Sequence, residues 1–102
     1  MSAPLKKPLG NAIVVRSFLY NDSGDMVLQP TSIKAKIVGP DNATVIDDED
    51  MLPIASGKFK GGFKYIWQSA EDGMAGIYSA RIKTVYEGYT SIEDIPELVE
   101  LT

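Results

Sequence analysis

Phe59-Lys60-Gly61-Gly62-Phe63-Lys64-Tyr65-Ile66-Trp67 is the stretch that decides the fold of this chain. Phe59, Phe63, Tyr65 and Trp67 share one parity, and Lys58, Lys60 and Lys64 share the other. A strand turns residues i and i+2 to the same face, so an extended segment packs these rings inward and leaves the ammonium groups wet. Gly61-Gly62 interrupts the pattern, as a bulge or a tight approach of another backbone would.

The same period continues on both sides. Residues 69–75 read as a loop, and Gly76 to Val85 as a strand with Tyr78, Ala80 and Ile82 inward and Arg81 and Lys83 wet. Tyr86-Glu87-Gly88-Tyr89 reads as a connection. The closing segment fits two readings: a short amphipathic turn over Ile92 to Leu98 followed by a strand at Val99-Glu100-Leu101, or one edge strand bulged at Pro96. Upstream, Ile33-Lys34-Ala35-Lys36-Ile37-Val38 alternates apolar and charged residues and ends at Gly39-Pro40. A short strand is expected at residues 43–46 and another at residues 51–55. Between them, Asp47-Asp48-Glu49-Asp50 is assigned to a loop, because four like charges repel in a tight ladder.

Ile13-Val14-Val15-Arg16-Ser17-Phe18-Leu19-Tyr20 is apolar on both faces. Ile13, Val15 and Leu19 are assigned inward; Val14, Phe18 and Tyr20 are left partly exposed or covered by something else. Asn21-Asp22-Ser23-Gly24-Asp25 has turn chemistry. Residues 1–11, with two prolines and two lysines, read as a flexible arm or a short edge segment, and 12–102 as a single domain. At least six short strands at turn-punctuated spacing predict an all-β sandwich or barrel. Two antiparallel layers would bury the faces of Trp67 and Tyr78 together. The expected core is Ile33, Ile37, Phe63, Tyr65, Trp67, Tyr78 and Ile82.

Composition narrows the chemistry. The 102 residues include no cysteine and no histidine, which removes disulfides, thiolate metal sites and histidine-based catalysis. Ten Lys+Arg against 14 Asp+Glu give a net charge of −4, which opposes general affinity for nucleic acid or anionic membranes. No apolar run approaches the roughly 20 residues of a membrane-spanning helix, and the opening lacks a secretory core. The Met-Ser-Ala-Pro start reads as that of a small native gene product, and the missing cysteines suit an intracellular origin.

No constellation stands out as catalytic. Ser56 near Lys58 and Ser79 near Lys83 read as turn and surface residues, and the acidic residues as solvated. Calcium could use the oxygens of Asp47 to Asp50, or of Asn21, Asp22 and Asp25, but neither has EF-hand spacing and a solvated loop is the simpler reading. Gly57-Lys58-Phe59-Lys60-Gly61-Gly62 lacks P-loop spacing. Lys58, Lys60 and Lys64, joined by Lys34, Lys36, Arg81 and Lys83, would form a basic stripe, and a solvated face is again the simpler reading. No cofactor is expected. Asn21-Asp22-Ser23 and Asn42-Ala43-Thr44 match the glycosylation pattern without a leader to make use of it. Met74 is an apolar loop-tip residue, read as a contact point or as folding back on the sandwich edge.

The order of these features resembles small immunoglobulin-like domains common in bacteriophage and prophage structural modules, which also occur as repeats in bacterial surface proteins. The resemblance runs from Asn21-Asp22-Ser23-Gly24 through Val27, Gln29-Pro30-Thr31-Ser32-Ile33 and Val38-Gly39-Pro40-Asp41-Asn42. It continues at Ser56-Gly57-Lys58-Phe59, the strand ending in Trp67, and Gly76-Ile77-Tyr78. Leu28 looks like an insertion and Gly61-Gly62 like an addition, and the tail with Glu93, Asp94, Pro96 and Glu97 matches poorly. The resemblance implies an immunoglobulin-like two-layer antiparallel β-sandwich and an accessory, joining or binding role, with no catalytic residues. The expected function is a non-catalytic structural or assembly accessory, of a phage virion or head–tail region, in the host cytoplasm during assembly or in the virion. Its partners would be other structural proteins or copies of itself. The alternative is a soluble protein- or carbohydrate-binding module. Val14, Phe18, Tyr20, Met74, Tyr86 and Tyr89 are the candidate interaction residues.

Overall fold

A computed structural model describes residues 5–21, 23–27 and 29–102. Asp22 and Leu28, read above as turn and insertion residues, and the first four residues of the arm lie outside that set. The strands are β1 (Lys6–Lys7), β2 (Ala12–Ser17), β3 (Ser32–Val38), β4 (Thr44–Asp50), β5 (Leu52–Pro53), β6 (Phe63–Gln68), β7 (Gly76–Tyr86) and β8 (Tyr89–Leu101). They form two open sheets, β1-β8-β7-β3-β4 and β2-β6-β5. No helix occurs among the described residues.

Alternation builds the two layers. In the large sheet, β3 buries Ile33, Ala35 and Ile37, β7 buries Tyr78, Ala80 and Ile82, and β8 adds Val99 and Leu101. In the small sheet, β2 buries Ile13 and Val15, and β6 buries Phe63 and Trp67. These side chains form one cluster between the sheets, with Tyr65 half-buried against it. The fold is therefore all-β, two facing sheets in the manner of a two-layer sandwich. Of the remaining β2 segment, Val14 and Leu19 are half-buried, and Phe18 and Tyr20 are exposed.

Every strand pair is antiparallel except β1 with β8, which is parallel, so the large sheet is mixed rather than purely antiparallel. From Leu5 onward the opening segment lies along the sheet. The Glu100 N–H donates to the Leu5 carbonyl at 2.8 Å, and the Thr102 N–H to the Lys7 carbonyl at 3.0 Å. The buried Ser69 hydroxyl accepts from the Gly10 N–H at 3.0 Å and donates to the Asn11 carbonyl at 2.6 Å. This pins the arm to the end of β6.

Three local expectations are corrected. Asp47-Asp48-Glu49-Asp50 is not a loop: it completes the seven-residue β4. β4 is an edge strand whose acidic side chains are exposed, so water and salt weaken their repulsion. Two register shifts and a left-handed backbone at Asp48 (φ 49°) also break the regular ladder, and Asp50 lies opposite Lys34. The strand expected over residues 51–55 shrinks to Leu52–Pro53. Here the chain passes between sheets: the buried Met51 donates its N–H to the Ile33 carbonyl of the large sheet, while β5 pairs with β6.

Phe59 does not join Phe63, Tyr65 and Trp67 on an inner face. Gly57 and Gly61, at φ 85° and 93°, bend residues 56–61 into a reversal, and Phe59 and Lys60 lie in it with Lys58. Parity holds only along an unbroken strand, and β6 begins at Phe63. Of the two readings of the tail, β8 is a continuous strand of 13 residues, with a register shift opposite Tyr78 and Ala80 that accommodates Pro96.

Candidate interaction surface

The β7–β8 hairpin is closed by two residues, Glu87 and Gly88, both left-handed at φ 51° and 81°. Such mirror-image turns match the twist of the strands they join, and they set the register of the flanking residues. Those residues are Tyr86 and Tyr89. Tyr89 is 79% exposed. Tyr20, in an isolated bridge with Met26, approaches the same end of the sandwich. Its turn is held by the Asn21 side-chain oxygen, which accepts the Ser23 and Asp25 N–H groups at 2.9 and 3.0 Å. Tyr20, Tyr86 and Tyr89 line an open groove of about 540 Å³, with Asn21, Ser23 and Ser91 adding polar groups.

The other candidate residues stand apart. Val14 lies on the outer face of the small sheet directly opposite Ile66, an exposed residue the sequence reading passed over. Its position between Tyr65 and Trp67, on the parity of Lys64, was the available signal. Phe18 packs against the β5–β6 turn, its ring centroid 6.1 Å from that of Phe59, and the Arg16 guanidinium sits 4.5 Å from the Phe59 ring centre. Gly62 makes this possible, because a Cβ there would lie 2.6 Å from the Phe18 ring. Met74 is 50% exposed just before β7, at the end opposite Tyr86, and its carbonyl accepts the Tyr78 hydroxyl at 2.6 Å. The six residues thus form a tyrosine groove and three separate spots.

The basic stripe divides as well. Lys34, Lys36, Arg81 and Lys83 share the outer face of the large sheet, through the pairs Lys34–Lys83 and Lys36–Arg81. Lys64 lies on the other sheet, and Lys58 and Lys60 lie in a turn. Acidic neighbours accompany the four: the Arg81 Nε donates to Asp94 Oδ1 at 2.7 Å, and Lys34 Nζ lies 4.0 Å from Asp50. The hydrogen bond to Asp94, helped by its charge, raises the Arg81 pKa above the ordinary guanidinium value. For calcium, the carboxylates of β4 are exposed along a doubly bulged strand, and the Asn21 oxygen is already engaged by two backbone amides. Among the described residues no three acidic side chains gather in a metal-binding group.

Fold and surface together define an all-β domain of two open sheets with an aromatic groove at one end. Among known proteins, no family model, no curated protein and no solved structure matches the chain.

Proposed function

We propose that this chain is a non-catalytic structural or assembly accessory of immunoglobulin-like type, belonging to a phage-type virion or its head–tail region. The observation that carries this reading is the Tyr89 ring, 79% exposed where a two-residue turn ends, beside Tyr20 and Tyr86. Tyrosine offers a broad contact area and a polar tip with only two side-chain torsions to order, so aromatic groups of this kind anchor protein interfaces. Among the described residues, Tyr89 takes no part in the core cluster. The partner is another structural protein of the particle or a second copy of this chain.

Quantitative mass spectrometry of purified particles tests the proposal. The chain is expected at a fixed ratio to the major structural proteins, and Tyr89→Ser is expected to be lost from the particles. Complete absence of the wild-type chain from particles would sink it. A hydrolase or transferase activity abolished by one carboxylate substitution would sink the non-catalytic part.

The second reading, a carbohydrate-binding module, draws on the polar lining that Asn21, Ser23 and Ser91 add to the tyrosine rings. Retention on an immobilised polysaccharide, lost in Tyr89→Ser, would favour it over the first.

A further inference from the structure

The large sheet has two edges, and they differ. On one side β4 is acidic, doubly bulged and irregular, all devices that discourage a neighbouring strand. On the other side, among the described residues, β1 pairs with β8 at Glu100 and Leu101. Among the described residues, 89–95 of β8 are regular and pair with β7 alone. The hairpin fixes which backbone groups are free. In a two-residue hairpin the flanking pair, here Tyr86 and Tyr89, exchanges ladder hydrogen bonds. Tyr89, Ser91, Glu93 and Ile95 therefore turn their N–H and C=O toward β7, and Thr90, Ile92 and Asp94 turn theirs away. Among the described residues, backbone partners on this outer side begin only at Glu100.

We infer that residues 89–95 of β8 pair antiparallel with the same residues of a second copy, about a two-fold axis at Ile92, joining two five-stranded sheets into one. This register satisfies every position. Ile92 meets its own mate, and Thr90 meets Asp94 of the other copy twice, so all three outward-facing residues become hydrogen-bonded pairs. On the inner face Tyr89 meets Ile95, and Ser91 meets Glu93. Apolar residues face apolar ones, hydroxyls face carboxylates, and no like charges stand directly opposite.

The two acidic residues do not defend this edge. Asp94 is held by the Arg81 Nε at 2.7 Å, and Glu93 accepts the Ser17 hydroxyl at 3.0 Å, each within its own chain. The nearest like-charged residues across the axis are the two Glu93, diagonal positions about 7–8 Å apart. Pro96 would be the next outward-facing position, and having no N–H it ends the ladder. Ile92, 50% exposed, would be covered at the centre. The inference rests on the assembly reading above and supplies it with one partner, a second copy of this chain.

Sedimentation equilibrium and disulfide trapping test it. The wild-type chain is expected at twice its 11.1 kDa mass, and Ile92→Lys, which sets two ammonium groups face to face on an exposed position, is expected at the monomer mass with an unchanged β spectrum. Because the chain has no cysteine, I92C introduces a single thiol. The paired Cα atoms would lie about 5.5 Å apart, within disulfide reach, so mild oxidation is expected to link I92C into a dimer. T90C is the control, since its mates would be about 13 Å apart, four residues along the strand. A wild-type monomer at all concentrations, a dimeric Ile92→Lys, or T90C linking as readily as I92C would overturn the inference. A monomer still found in particles would overturn it while leaving the assembly reading in place.

Discussion

Trp67 on β6 and Tyr78 on β7 hold their ring centroids 5.2 Å apart at 44°, the aromatic contact that joins the two sheets across the core. Both are buried, and the Tyr78 hydroxyl leaves the core to reach the Met74 carbonyl. Truncating a buried indole removes its burial and leaves a cavity, so Trp67→Ala is expected to cost about 3–5 kcal/mol. Tyr78→Phe keeps the ring and loses one hydrogen bond, for about 1 kcal/mol. Urea unfolding of the two variants should separate them clearly; equal losses would show that the one hydroxyl matters as much as the whole indole.

The hairpin turn offers a gain and a loss. Glu87 is left-handed, a conformation that asparagine adopts more readily than glutamate, so Glu87→Asn is expected to raise the thermal midpoint. Gly88 at φ 81° has no such substitute, and Gly88→Ala should cost about 1–2 kcal/mol. Thermal melts followed by circular dichroism would register both signs. A stabilising Gly88→Ala would contradict the turn geometry.

The Ser69 hydroxyl anchors the opening segment through two hydrogen bonds, and the Ser69 N–H adds a third to the Asn11 carbonyl. Ser69→Ala strands the Gly10 N–H, while the Asn11 carbonyl keeps the backbone N–H of residue 69 at 3.3 Å, so the expected cost is about 1–2 kcal/mol. The loosening should be local. Hydrogen exchange at the amides of Glu100 and Thr102, which bond to the Leu5 and Lys7 carbonyls, is expected to accelerate, with Ile37 and Ile82 unaffected. Faster exchange throughout the core would mean that the arm supports the whole sandwich.

The acidic strand β4 guards one edge of the large sheet. Replacing Asp47, Asp48 and Glu49 together by Asn, Asn and Gln keeps the shapes and removes the charge. This variant is expected to form assemblies that grow with concentration, visible by light scattering, because a second usable edge makes association open-ended. Particle size unchanged from wild type would show that the bulges alone protect this edge.

Tyr89 contributes its ring to the surface and not to the core. Tyr89→Ser is expected to change unfolding free energy by less than about 0.5 kcal/mol. A larger loss would assign the residue a structural role and weaken its use as a docking anchor.

Two-residue periodicity is a local property, and for that reason it was readable. Ile33, Ala35 and Ile37 against Lys34 and Lys36, and Tyr78, Ala80 and Ile82 against Arg81 and Lys83, determined on their own which faces would be dry. Nothing local states which strand becomes an edge. The charges of residues 47–50 are tolerable in a strand only because tertiary pairing leaves β4 with water on one side. Phe59 carries the parity of a core residue, yet the chain reverses before β6 and sets it against Phe18. The gathering of Tyr20, Tyr86 and Tyr89 was equally invisible, since residues 66 positions apart meet only when two strand ends are brought to the same end of the sandwich. Side-chain type and spacing settled what must be buried; long-range backbone pairing alone decided what stands at the edges and ends, where a partner can reach.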